Sequence, residues 1–185
     1  MKIKEIIAKN LAEIGKALAL IKEEETDQFI KRIFSSKRVF VAGAGRSGIL
    51  IRAFATRLMQ MGFSTYVVGE TITPAIGEDD LLVLMSGSGE TEYSYHVSKA
   101  AQGAGAHVYL ITAHKGSRMW KMAQGKIKIP GPTKLSSLEK HRSRQVLGSL
   151  FEQGAFIFLE CVVDEISKEI KMHPEDIMVR HTNLE

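Results

Sequence analysis

Three groups of residues in this chain have the types and spacing to do chemistry. The first is Ser86-Gly87-Ser88-Gly89-Glu90-Thr91, which follows the apolar run Leu81-Leu82-Val83-Leu84-Met85. Glycines let backbone N–H groups come close to an anion, and serine hydroxyls add donors. The second is Gly43-Ala44-Gly45-Arg46-Ser47-Gly48, which follows Arg38-Val39-Phe40-Val41-Ala42 in the same manner. Each stretch lies between a strand pattern and a helix pattern. A helix start offers unpaired N–H groups and the positive end of its dipole, so strand, small polar loop and helix together make an anion site. The third is Glu152, an acid in the first turns of the most apolar helical stretch, flanked by Phe151 and by Ala155-Phe156-Ile157. A helix-start acid ordinarily does no more than complement the dipole. One partly withdrawn from water is also a suitable general base.

Several other chemistries fit less well. No Gly-Lys-Ser/Thr follows either loop at the spacing of a Walker phosphate loop. The first loop is one residue short of G-x-G-x-x-G, although Glu70 stands near the distance at which a dinucleotide fold places its ribose-binding acid. Nucleotide binding therefore stays as a weaker reading. As a loop acid, Glu70 is ordinarily solvated. The histidines are scattered without a His-x-x-x-His pair, so no metal site is expected.

The elements that must position these residues follow from hydrophobic periodicity. Strands are predicted at 38–42, 64–68, 81–85, 107–111 and 127–129. Helices are predicted at 3–24, 26–34, from Ile49 onward, at 90–104, at 117–123 capped by Ser117, and at 150–170. Alternation of this kind gives a five-stranded, doubly wound parallel sheet with helices on both faces, a three-layer α/β/α sandwich. In such open sheets a ligand sits beyond the carboxyl ends of the strands, where both serine–glycine stretches fall. In the first helix Ile3, Ile7, Leu11, Ile14, Leu18 and Ile21 form a heptad-like seam, suited equally to this chain's own sheet or to another subunit. Glu23-Glu24-Glu25 reads as a solvated end to that stripe.

Composition bounds the rest. A chain of 185 residues, 44% hydrophobic and 25% charged, makes one globular domain. A net charge of +4 without a lysine–arginine block points away from nucleic acid and toward small anions such as phosphates. Cys161 has no partner for an internal disulfide and is expected as a buried thiol in a reducing compartment. The start has no signal-peptide pattern and no apolar run reaches a membrane span, so a cytoplasmic location is expected.

Taken together, the loops resemble the phosphosugar site of the sugar isomerase (SIS) domain, a flavodoxin-like doubly wound fold. Val68-Gly69-Glu70-Thr71-Ile72-Thr73-Pro74, Gly148-Ser149-Leu150-Phe151-Glu152 and Arg180-His181-Thr182-Asn183-Leu184-Glu185 narrow the resemblance to the 6-phospho-3-hexuloisomerase family. It implies one SIS domain over residues 1–185, with helices at 1–36 and a tail at 173–185 used in oligomer contacts. It also implies a homotetramer built as a dimer of dimers, with no metal or organic cofactor. The implied reaction interconverts D-arabino-hex-3-ulose 6-phosphate and D-fructose 6-phosphate through a cis-enediol, within the ribulose monophosphate pathway of formaldehyde fixation. Other phosphosugar isomerases, acting on arabinose 5-phosphate or a heptose phosphate, and a non-catalytic phosphosugar-binding module are the competing readings.

Carried over residue by residue, Glu152 matches the family's catalytic glutamate, although Val146-Leu147 replaces the family's usual Pro-Met ahead of Gly148. His181, in a tail that is ordinarily inert, matches the terminal motif and is expected to move protons between the two sugar oxygens. Ser47, Ser86, Gly87, Ser88, Gly89, Glu90 and Thr91 hold the phosphate, and Arg46 either assists them or supports its loop. The stretch 131–146, with Lys134, Lys140, His141, Arg142 and Arg144, either reaches a phosphate or a neighbouring subunit, or is a solvated basic loop.

Overall fold

A computed structural model of the chain describes residues 2–133 and 143–183. Lys134, Lys140, His141, Arg142 and the Leu184-Glu185 end of the terminal motif lie outside the described residues. Five strands, β1 (Val39–Gly43), β2 (Thr65–Val67), β3 (Leu81–Met85), β4 (His107–Thr112) and β5 (Gly125–Lys128), pair in the order β2-β1-β3-β4-β5. Every pairing is parallel. The helices are α1 (Ile3–Leu18), α2 (Glu23–Ser35), α3 (Gly45–Gln60), α4 (Glu92–Gly103), α5 (Arg118–Met122), α6 (Ser149–Glu169) and α7 (Pro174–Val179). The expected three-layer α/β/α sandwich is the observed one.

Alternation of side chains along each strand divides the core into two layers. Val39, Val41, Leu81, Val83, Met85 and Ile111 face α2, α3 and α6, where Phe29, Phe54, Leu58, Phe158 and Val162 cover them. Phe40, Ala42, Leu82, Leu84, Val108 and Leu110 face α4 and α5, packed by Ala101, Met119 and Ala123. All of β3 is buried, as its unbroken apolar run predicts for a central parallel strand. The register sets Gly43 beside Met85, so both serine–glycine stretches leave the sheet at one level. At the opposite end Arg38 and Asp80 tie β1 to β3, with Arg38 Nε 2.9 Å from Asp80 Oδ1.

The structure corrects two expectations and adds one element. The first helix ends at Leu18 rather than at residue 24, and Glu23-Glu24-Glu25 forms the first turn of α2, where acids complement the dipole. Cys161 is exposed, not buried, because it falls off the stripe of α6 marked by Phe151, Ala155, Phe158, Val162 and Ile166. The tail contains the short helix α7, begun by Pro174 at its first position and by a bond from the His173 N–H to Asp176. The seam of α1 is seated only in part. Ile14 and Ala17 are buried where α1 lies on α6, whereas Ile3 is 67% and Leu11 59% exposed. Among the described residues no helix is long and apolar enough to cross a membrane.

Candidate active site

Strand order reverses between β1 and β3, so the chain leaves these neighbours toward opposite faces, into α3 and into α4. A crevice opens at such a point beyond the strands, and it is the usual ligand position in this class of sheet. One wall is the start of α3. Gly45-Arg46-Ser47-Gly48 forms its first turn, so the helix begins before the apolar spacing that starts at Ile49. The first N–H groups of a helix have no acceptor within it, and this helix starts just after Gly43, at the carboxyl end of β1.

The other wall is Ser86–Thr91. Ser86 is buried and its hydroxyl shapes the turn, accepting from the Gly89 N–H at 3.2 Å and donating to the Thr91 hydroxyl at 3.4 Å. The Ser88 hydroxyl accepts from the Glu90 N–H. Thr91 is the N-cap of α4 and holds no side-chain capping bond. Glu90 is engaged elsewhere in the fold. Its carboxylate accepts from the Arg118 N–H at 2.7 Å and pairs with the Arg118 guanidinium, which also binds the Glu90 carbonyl and the Glu92 carboxylate. This guanidinium holds the Glu92 carboxyl below its usual range. Arg118 lies over the Tyr95 ring, 4.0 Å from its centroid. Met119 N–H donates to the Gly89 carbonyl, so α5 braces the whole loop. Nothing in the sequence pattern singles Arg118 out.

Glu152 enters from above on the first turn of α6. Two glycines bring this turn close. A methyl at Gly87 would lie 3.0 Å from the Phe151 ring, and one at Gly131 would lie 2.9 Å from the Phe151 nitrogen. Phe151 is thereby wedged between the β3 loop and the segment after β5, and Glu152 follows it into the crevice. The Glu152 side chain is 12% exposed, and its Oε2 lies 2.5 Å from Nε of Arg46, whose own side chain is 68% exposed. The base candidate and the first anion loop, 106 residues apart in sequence, meet at this ion pair.

His181 is not part of this cluster. It follows Arg180, whose guanidinium reaches the Gln60 carbonyl and the space above Gly62 at the far end of α3. The helix α3 runs from Gly45 to Gln60, which sets that end about 21 Å from Arg46 at 1.5 Å per residue. The exposed imidazole stands beside the carbonyl of Thr182. Glu70 also lies apart, paired with Arg52 in an exposed ion pair. Among the described residues no group of histidine, cysteine and acid side chains is arranged to hold a metal.

Known proteins resemble this chain along its whole length. The SIS domain profile matches residues 32–141. A 3-hexulose-6-phosphate isomerase of Bacillus subtilis is 38% identical over 185 residues, covering 100% of both chains. A second, from Mycobacterium gastri, is 38% identical over 94% of this chain and 86% of its own. A solved Methanococcus jannaschii protein, whose structure was taken to infer 3-hexulose-6-phosphate isomerase function, superposes with a TM-score of 0.82. It shares 34% identity and covers 100% of both chains. The strand order, the paired serine–glycine loops and these full-length likenesses agree: the chain belongs to the SIS domain family and, within it, to the 3-hexulose-6-phosphate isomerases.

Proposed function

We propose that this protein interconverts D-arabino-hex-3-ulose 6-phosphate and D-fructose 6-phosphate through a cis-enediol. The observation that carries the reading is the Arg46–Glu152 contact, which joins a sheltered carboxylate to a helix start built for an anion. The phosphate rests on the α3 start and the Ser86–Thr91 loop, contacted by backbone N–H groups and by Ser47, Ser88 and Thr91. Ser86, Gly87, Gly89 and Glu90 set the shape of that loop. Glu152 uses its second oxygen to take the C2 proton; the electron pair enters the C2–C3 bond, and the C3 carbonyl oxygen becomes the enediolate. Return of the proton to C3, with transfer of the O2 proton to O3, completes the ketose.

His181 performs the oxygen-to-oxygen transfer in a neighbouring subunit's crevice. Its position far from Glu152 of its own chain supports this arrangement over one within a single chain. The exposed half of the α1 seam, Ile3, Ile7 and Leu11, supports assembly through that helix, in a tetramer of paired dimers. A cytoplasmic location is proposed with it, and the exposed, unpaired Cys161 thiol supports a reducing compartment.

Mixed oligomers test base and assembly together. Glu152→Gln alone is expected to lose at least ~10²-fold in kcat, with C2-hydrogen exchange into deuterated water abolished. His181→Ala alone loses turnover, and reassembling the two inactive variants restores it in sites that combine the intact Glu152 of one chain with the intact His181 of another. Near-normal exchange in Glu152→Gln overturns the base. Full activity in an oligomer-free monomer overturns the shared site.

A further inference from the structure

The lead-in to the helix that carries Glu152 is suspended from α1, an element with no part in either anion loop. Glu13 on α1 accepts three hydrogen bonds from this lead-in. They come from the Ser143 hydroxyl at 2.8 Å, the Arg144 N–H at 3.2 Å and the Gln145 side-chain amide at 3.2 Å. The carbonyl end of Gln145 in turn accepts from Nε2 of Gln153 at 2.7 Å. Gln153 is the residue after Glu152 on α6.

The direction of this relay is forced by chemistry. An ionised carboxylate only accepts hydrogen bonds, so it must take the NH2 end of Gln145. That turns the carbonyl of Gln145 toward the NH2 of Gln153. Reversing the amide would face oxygen with oxygen at one end and nitrogen with nitrogen at the other. Burial pushes the Glu13 carboxyl up, but its bonds from Ser143, Arg144 and Gln145 outweigh this and hold it below its ordinary value, so the charge persists at neutral pH.

The place that is braced is also the place most in need of it. Gly148, the N-cap of α6, has φ 90°, a conformation that glycine adopts freely and that leaves the joint soft. Among the described residues the backbone bonds at this joint are local, Ser149 N–H to the Val146 carbonyl and Glu152 N–H to the Gly148 carbonyl. The relay bypasses this joint. Its far anchor is rigid, because Ile14 and Ala17 next to Glu13 are buried where α1 meets α6.

We propose that Glu13 is a positioning residue for the isomerisation, acting through Gln145 and Gln153 to hold the first turn of α6, and with it Glu152, at its working distance and bearing. The proposal rests on Glu152 being the base. Glu13 touches no substrate, and its effect belongs to kcat, because the phosphate is held by loops after β1 and β3.

The test uses Glu13→Gln, which keeps the size but faces NH2 against donors, and Gln153→Met, which cuts the relay at its other end. Each is expected to lower kcat roughly tenfold, the scale of a sub-ångström misplacement. KM and inhibition by inorganic phosphate stay unchanged in both. The double variant loses no more than the worse single, as for residues in one chain of contacts. Should Glu13→Gln not fold, Gln153→Met carries the same reading by itself. Wild-type kcat in Gln153→Met, losses that multiply in the double variant, or a KM that rises with the fall in kcat overturns the proposal. Failure of the base is separate: it is seen as normal turnover in Glu152→Gln. Failure of the relay is seen as normal turnover in Glu13→Gln and Gln153→Met while Glu152→Gln is inactive.

Discussion

Gly131→Ala is expected to move Glu152, the proposed base, without touching it. The added methyl would stand 2.9 Å from the Phe151 nitrogen, 3.1 Å from its Cβ and 3.2 Å from its Cα. All three atoms belong to the first turn of α6, so no flexible side chain can yield. On its other side the Phe151 ring is buried close over Gly87, where an added methyl would lie 3.0 Å from it, so the ring has little room to take up the shift by itself. The turn must therefore back away by about 0.5 Å to reach an ordinary contact of 3.4 Å, and Glu152 moves with it. A misplacement of ~1 Å costs on the order of 10²-fold in rate, so half of that costs roughly tenfold in kcat. Overpacking of this kind also destabilises by about 1–3 kcal/mol, so the melting temperature falls by several degrees. The assay is steady-state isomerisation by coupled detection of fructose 6-phosphate, with calorimetry on the same sample. Gly103→Ala is the control, because a methyl there meets nothing within 4 Å. A folded Gly131→Ala with lowered melting temperature but the kcat of the control would refute the claim that the seat of this turn sets the rate.

The remaining predictions concern the two ends of the sheet. Asp80, buried at the amino ends of the strands, accepts from Arg38 at 2.9 and 2.6 Å and from the Gly77 N–H at 2.7 Å. Asp80→Asn removes the charge that faces this guanidinium, which keeps the Ala75 carbonyl and some water, and is expected to lower the melting temperature by roughly 3–12 °C with kcat intact. Burial pushes the Asp80 carboxyl up, but Arg38 and the Gly77 N–H outweigh it and hold the carboxyl below its ordinary value. Its contribution is therefore present at neutral pH and lost as pH falls through the folded-state value, below about pH 4. Urea melts at pH 6 and pH 3 should show a smaller acid loss in Asp80→Asn than in wild type; equal losses would assign acid sensitivity elsewhere. At the other end, Arg118→Met removes the brace on Glu90 while keeping an apolar stem against Tyr95. KM and the inhibition constant of inorganic phosphate should rise several-fold with kcat little changed, and an unchanged KM would mean that Ser86 and Ser117 hold the loop unaided.

What could be read in the sequence was what the backbone decides locally. The apolar run Leu81–Met85 bounded by small residues specifies a central parallel strand whatever surrounds it, because only burial on both faces satisfies five adjacent apolar side chains. Ser117 announced the start of α5, and its hydroxyl does accept from the Trp120 N–H, a bond between residues three apart. The two serine–glycine joints were legible for the same reason: each is a strand end, a small polar turn and a helix start, contiguous in the chain. Periodicity did not show where α1 stops or that Cys161 faces outward, because Glu23-Glu24-Glu25 serves a helix start as well as a solvated face, and one apolar residue off a stripe reads like its neighbours.

The site as an object belongs to the tertiary structure. Arg46 and Glu152 meet across 106 residues, Glu13 and Gln145 across 132, and Arg118 takes up a carboxylate that sequence alone left open to the substrate. None of these pairings is implied by residue type, because an arginine or glutamate on a helix surface is equally well satisfied by water. Each is decided by where the sheet order places α3, α5 and α6 around one crevice, and by Gly87 and Gly131, which let α6 come within reach. The same geometry separates Glu152 from His181 in one chain, since a single helix start and a single helix end cannot share a place when the helix is 21 residues long.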